Sequence, residues 1–180
     1  MRRIHLTSAA ALSALVVGTS ATAATQGTLG ATSTGTVSIS ASVPNRVRIS
    51  GLSDVAFTNV DPSVNASNAQ NVCVWSNTST KGYRVTASGS GAANAFTLAN
   101  AALTVPYTVE WAATTGQTSG TALATGTPFT GLTSLATNSN CASGPSSSAS
   151  LIVRIAATDL QTMNAATSYT GTLTLLVAPE

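Results

Sequence analysis

The strongest constraint on the fold is a series of short apolar runs, alternating with polar residues, that fills the sequence from residue 35 onward. Gly, Asn, Ser and Pro separate the runs, and helical periodicity is almost absent. The clearest run places apolar side chains two residues apart, at Leu103, Val105, Tyr107, Val109 and Trp111. Side chains at this spacing share one face of a strand. The sequence therefore predicts an all-β fold, either a sandwich or a barrel.

Other runs predict the remaining strands. They lie at residues 46–49, 72–75, 81–87, 95–98, 150–156 and 169–177, with a short apolar run around 55–57 and shorter strands near 121–123 and 129–132. Pro106 indicates a sheet edge or a bulge within the 103–111 run, because proline cannot donate to a strand ladder. Residues 159–166 are expected to form one helical turn with Asp159 as its cap. Helix therefore has a minor place in the predicted fold.

The first 23 residues have the features of an export signal. Arg2 and Arg3 precede an apolar stretch at residues 9–17, and small residues follow at 21–23. This order is typical of a cleavable signal peptide. We therefore expect an exported protein whose mature chain begins at Ala24.

Removal of that signal changes the charge and the available chemistry. Arg2, Arg3 and His5 would be lost, which leaves five basic and five acidic residues and no histidine. A neutral chain without a basic stripe is not expected to bind nucleic acid or an anionic membrane. Without histidine, histidine-based triads and histidine-ligated zinc are excluded. We expect no catalytic residues, no metal, no cofactor and no enzymatic activity.

Asp54 and Asp61 are close enough in sequence to raise two alternatives. They could form a glycosidase pair or a calcium site. The favoured interpretation is that both lie in turns, where Asp side chains bind the local backbone.

The sequence contains two cysteines, Cys73 and Cys141. An oxidising compartment favours a disulfide between them over two buried free thiols. Neither has a histidine partner or a C-x-x-C neighbour, so a redox role is not expected.

A strand pattern also lies directly behind the predicted cleavage site. A Gly- and Thr-rich stretch becomes strictly alternating at Val37, Ile39, Ala41 and Val43. Since no neighbouring run is an obvious partner, we expect this strand to find its partner elsewhere.

Several segments together resemble the spore coat U family, to which archaic (Csu-type) chaperone-usher pilins belong. The similar segments are TGTVSISA at 34–41, VCVWSN at 72–77, GYRVTA at 82–87, VPYTV at 105–109 and YTGTLTLLV at 169–177. Their order and spacing cover most of the mature chain. Many relatives carry a cysteine soon after the N-terminal strand, where this chain has Pro44-Asn45-Arg46-Val47.

The resemblance implies an incomplete, immunoglobulin-like sandwich at residues 42–180, with an apolar groove and an N-terminal donor-strand arm at 24–41. It implies a structural subunit of a surface fimbria, whose partners are a periplasmic chaperone, an outer-membrane usher and neighbouring pilin subunits. In that case the arm side chains that enter a neighbouring groove are Leu29, Ala31, Val37, Ile39 and Ala41. The fimbria is expected to contact an abiotic or glycan surface.

The alternative function is a secreted or tip adhesin that binds carbohydrate. Trp75, Tyr83, Tyr107 and Trp111 would then stack against sugar rings. Their inward spacing within predicted strands favours a place in the core instead.

Overall fold

A computed structural model describes residues 23–180 of the chain. The predicted export signal lies outside the described residues, apart from Ala23. The chain divides into two compact units, and the boundary falls between Val43 and Pro44. The second unit, residues 44–180, contains all the strands below and is called the body.

The body consists of ten strands and one short helix. The strands are β1 (Val47–Ser50), β2 (Ala66–Ser76), β3 (Gly82–Gly89), β4 (Thr97–Asn100), β5 (Leu103–Pro106), β6 (Thr108–Ala112), β7 (Thr121–Ala122), β8 (Phe129–Thr133), β9 (Ala149–Ile155) and β10 (Leu173–Pro179). The helix α1 is Ala157–Leu160, and a 3₁₀ turn covers Ala92–Asn94. Strands dominate, as the alternating runs predicted.

The strands form two main sheets and one hairpin, and all their pairings are antiparallel. The first sheet has the order β1-β2-β9-β6-β7, the second has the order β10-β3-β8, and β4 pairs with β5. No sheet closes into a barrel. The all-β, sandwich-like prediction is therefore confirmed.

The core lies between the inner faces of the two main sheets. Val74, Val109 and Trp111 of the first sheet pack in one cluster with Tyr83 and Val85 of the second. All five are at most 1% exposed. The Trp111 indole N–H donates to the Tyr83 hydroxyl over 3.3 Å, so a hydrogen bond joins the sheets inside the core.

A second, smaller cluster covers the outer face of β2. Because side chains alternate along a strand, Cys73 and Trp75 point away from Val72 and Val74. Cys73 forms the predicted disulfide with Cys141 and packs with Ala136, while Trp75 lies half-buried against them. The bridge fastens the loop after β8 to the first sheet.

The predicted 103–111 strand is wrong in its continuity. Residues Leu103–Pro106 pair with β4, whereas Thr108–Ala112 pair with β9 and β7. Tyr107 lies at the junction, where its N–H donates to the Phe96 carbonyl over 2.9 Å. Leu103, expected to point inward, is 48% exposed because its strand belongs to the peripheral hairpin.

Other boundaries also differ from the prediction. The last strand was expected to begin at residue 169, but β10 begins at Leu173. Among the residues before it, Thr170 forms an isolated bridge with Ala99. Asp159 lies inside α1, and the cap residue is Ala156. The side-chain oxygen of Asn65 accepts from the Ala157 N–H over 2.9 Å, so a distant residue supplies the capping bond. No helix within residues 23–180 is long and apolar enough to cross a membrane.

Candidate functional site: an open apolar groove

The body contains a groove of about 1010 Å³ along one side of the sandwich. Its floor includes alternate side chains of β9, Leu151, Val153 and Ile155. Leu173 and Leu175 of β10 form one wall. These five side chains belong to or pack against the main core. The three on the floor are at most 7% exposed, whereas the two leucines of β10 are half-buried, so the groove borders the core and its open apolar surface includes the β10 wall.

The β10 wall presents an open sheet edge. β10 pairs with β3 on one side and is the end strand of its sheet. Its inward side chains Leu173, Leu175 and Val177 are only half-buried. An end strand leaves a row of backbone N–H and C=O groups available to a further strand. This wall can therefore accept both backbone hydrogen bonds and apolar side chains.

The opposite wall is residues 52–60, which connect β1 to β2. The chain leaves the β1–β2 ladder at Gly51, whose φ of 77° suits glycine. Val55, Phe57 and Val60 then pack half-buried against the core. Within the described chain, residues 52–60 form no backbone–backbone hydrogen bond. The strand-like alternation at 55–57 thus lacks a ladder partner.

A side-chain clamp holds this wall in place. The side-chain Oε1 of Gln70 accepts from the Ser53 N–H over 2.8 Å, and its Nε2 donates to the Ser53 carbonyl over 3.0 Å. The clamp connects the wall to β2 and leaves the rest of its backbone unpaired. Both walls of the groove therefore combine half-buried apolar side chains with available backbone groups.

The end of the groove near Tyr169 carries polar as well as apolar residues, among them Asn164, Thr167 and Ser168. Tyr169 closes this end beside Leu160 and Met163, and its hydroxyl accepts from the Asn164 N–H over 3.1 Å. Tyr107 also lines the groove, but its buried hydroxyl has no hydrogen-bond partner among the described residues. Burial raises the pKa of the Tyr107 hydroxyl above its ordinary value. The lining is therefore mixed, with Asp54 and Asn59 among its polar residues, and it suits an extended segment that brings both apolar side chains and backbone hydrogen-bonding groups.

The N-terminal unit has the opposite character, since every residue from 24 to 43 is exposed. The alternating side chains Val37 and Ile39 are 75% and 92% exposed. Residues 37–43 form no strand pairing, although their pattern predicted a strand. Upstream, Thr25 and Thr36 form an isolated antiparallel bridge, and Leu29 and Ala31 lie in the turn region between them.

The other predicted site residues are structural. Asp61 accepts from the Ser63 N–H over 2.8 Å and from its hydroxyl over 2.7 Å, and these bonds, the backbone one first, lower its pKa. The turn interpretation is thus confirmed for Asp61. It is wrong for Asp54, which lies in the irregular segment 52–60, where the structure has no turn, and lines the groove. Among residues 23–180, no cluster of three or more His, Cys, Asp or Glu side chains could hold a metal ion.

The candidate sugar-binding aromatics lie in or against the two hydrophobic clusters. Tyr83, Tyr107 and Trp111 are buried in the core, and Trp75 packs beside the disulfide. These rings present no stacking face comparable with an open sugar platform.

Sequence reasoning placed Leu151, Val153, Leu173 and Leu175 on strands but did not name them as site residues. β10 also carries an apolar residue on its other face, Leu176, which is 62% exposed. Because Leu176 points away from the groove, this departure from alternation gave no signal for the groove itself.

No family model matches this sequence, and no curated protein matches it. The function is therefore argued from the groove and the exposed N-terminal residues.

Proposed function

We propose that this chain is a structural subunit of a surface fimbria, and that subunits join by donor-strand exchange. The observation that carries the proposal is that one chain holds both an open apolar groove and an exposed, alternating apolar segment. The arm of one copy would lie in the groove of another. The resemblance of the sequence to archaic chaperone-usher pilins supports the same mechanism.

The contact between the arm of one subunit and the groove of the next is called the joint below. Burial of side chains and pairing of backbone groups would stabilise it. Each large arm side chain that becomes buried contributes about 1.5–3 kcal/mol. The available backbone groups of β10 and of residues 52–60 would pair with the arm backbone, at about 0.5–1.5 kcal/mol per hydrogen bond. A joint with several of these contacts is long-lived without covalent bonds.

The geometry of the joint also favours a polymer. The arm and the groove are different surfaces of the same chain, so the contact is heterologous. Each added copy brings a new free surface, and assembly continues as a filament. An unjoined subunit needs a temporary occupant for its groove, which is the role we assign to a periplasmic chaperone. The arm of the next subunit would replace the chaperone at an outer-membrane usher. The predicted localisation is the periplasm during transit and the cell surface afterwards.

The test uses two variants that each lose one half of the joint. Ile39→Asp places a charge on the apolar face of the arm, so this subunit should accept but not donate. Leu175→Asp places a charge in the groove wall, so this subunit should donate but not accept. We expect each to stay monomeric alone, and a mixture of the two to form heterodimers and nothing larger. Size-exclusion chromatography with light scattering measures the species.

Adjacent residues provide matched controls. Ser40→Asp adds the same charge to the other face of the arm, and Leu176→Asp adds it to the exposed face of β10. Both controls should assemble like the unaltered mature chain. Circular dichroism checks that every variant keeps its β-structure. Assembly of Ile39→Asp on its own, equal to that of Ser40→Asp, would contradict the proposal.

The alternative, a carbohydrate-binding adhesin, has no comparable observation in its favour. Its candidate aromatics, Trp75, Tyr83, Tyr107 and Trp111, pack within or against the hydrophobic clusters. Contact of the fimbria with an abiotic or glycan surface stays a prediction.

A further inference from the structure

The first part of the arm is folded back on itself. Thr25 and Thr36 exchange both backbone hydrogen bonds, each 2.9 Å long. A Cβ atom on Gly35 would lie 2.9 Å from the Thr25 carbonyl oxygen, and a Cβ on Gly27 would collide with the Ser33 side chain. The two glycines therefore permit the close approach of the two chain segments. Residues 25–36 are called the arm hairpin below.

The second part of the arm is the segment after the arm hairpin, residues 37–43; it runs two residues beyond the predicted arm, is counted with the arm from here on, and has a different composition. Residues 37–43 carry apolar side chains at every second position, whereas Leu29 is the one large apolar residue of the arm hairpin. A closed hairpin cannot enter a groove as one extended strand unless it opens. The sequence pattern and the backbone pairing thus divide the arm at the same place, after Thr36.

The dimensions of the groove favour the second part alone. The wall strand β10 has seven residues, and so does segment 37–43. At about 3.3 Å per residue, two extended segments of equal length run side by side without overhang. The floor side chains Leu151, Val153 and Ile155 are already buried, so the surface left to cover is that of the half-buried Leu173, Leu175 and Val177 of β10. A segment with apolar side chains at every second position can pack against this alternating row.

Building on the proposed function, we infer that residues 37–43 are the part of the arm that enters a neighbouring groove, and that the arm hairpin is a stop that stays outside. The Thr25–Thr36 pair then sets the register, because it limits how far the chain can be drawn in. Val37, Ile39, Ala41 and Val43 occupy the groove, and Leu29 and Ala31 do not. The inserted segment is shorter than the arm that the sequence predicted.

A reversible covalent lock tests the stop. Directly opposed, hydrogen-bonded residues of antiparallel strands have Cα atoms about 5.5 Å apart, a separation that a disulfide spans. The variant Thr25→Cys/Thr36→Cys, oxidised and checked by mass spectrometry, holds the hairpin closed. The native bridge is protected, since Cys73 and Cys141 are 3% and 5% exposed, so a mild reductant opens the exposed lock first. Thr25→Ser/Thr36→Ser is the matched control.

We expect the oxidised, reduced and control proteins to assemble at the same rate. Loss of assembly in the oxidised protein, restored by reduction, would overturn the inference, because the hairpin would then have to open.

A second pair of variants keeps the inference separate from the function on which it depends. Leu29→Asp should assemble like the unaltered protein, whereas Ile39→Asp should lose assembly. If both variants lose assembly, the stop is wrong but strand donation stands. If both assemble, the proposed function itself is wrong.

Discussion

Two neighbouring strands, β3 and β10, have the same alternating pattern and opposite surroundings. Tyr83, Val85 and Ala87 of β3 are fully buried. The inward residues of β10, Leu173, Leu175 and Val177, are half-buried, although the two strands pair along their whole lengths. β3 has a strand on each side, whereas β10 has one neighbour and the groove. Burial here depends on position in the sheet and not on the alternation of the strand.

The comparison shows where the sandwich buries its inward side chains fully and where it leaves them half-exposed. The half around β3 is closed by the Trp111–Tyr83 hydrogen bond and by tightly packed side chains. The half around β10 keeps apolar side chains and backbone groups available. A strand added beside β10 would give its inward residues the environment that β3 already has. Under the proposed function, that strand comes from another copy.

The largest expected effect concerns the disulfide, which lies on the outer face of β2 and away from the groove floor. Replacing both cysteines by serine should lower the free energy of unfolding by about 4 kcal/mol, because the bridge joins residues 68 positions apart. Urea denaturation measures this loss. A synthetic peptide of residues 37–43 should still bind the folded variant. Loss of peptide binding without loss of fold would show that binding in the groove depends on the disulfide on the outer face of β2.

A smaller effect comes from two valines that face each other in the register. Val85 of β3 is fully buried, and its partner Val177 of β10 is half-buried. Val85→Ala should lower the free energy of unfolding by about 2–3 kcal/mol, and Val177→Ala by about 1 kcal/mol, in proportion to the apolar surface removed from water. If urea denaturation gave equal losses of unfolding free energy for the two variants, the inferred difference in burial between β3 and β10 would be contradicted.

Much of the fold could be predicted from the sequence because alternation specifies which side chains share a face. Tyr83, Val85 and Ala87 were expected on one face, and all three are buried. Alternation does not specify the partner of a strand. Residues 103–111 keep one pattern throughout, yet their two halves pair with β4 and with β9. Pairings between residues far apart in sequence are not encoded in a local period.

The candidate site could be predicted only in part for a related reason. The pattern at Val37 and Ile39 indicated an apolar segment without a local partner, and the structure leaves it exposed. The groove residues Leu151 and Leu173 were placed on strands, but a local pattern cannot tell whether the face they share is covered. That depends on which strands lie at the end of a sheet, as β10 does, and this is a property of the assembled fold.

The smallest expected effect distinguishes two tyrosines, one from each half of the sandwich. Tyr83→Phe removes the acceptor of the Trp111 N–H and leaves a buried donor unpaired, so the free energy of unfolding should fall by about 1–3 kcal/mol. Tyr107→Phe removes a buried hydroxyl that has no partner among the described residues, so it should be neutral or slightly stabilising. Urea denaturation measures the free energy of unfolding of both variants. The comparison is direct because phenylalanine replaces tyrosine in each. An equal loss in Tyr107→Phe would mean that its hydroxyl is satisfied in solution, and that the groove end is as well hydrogen-bonded as the closed half.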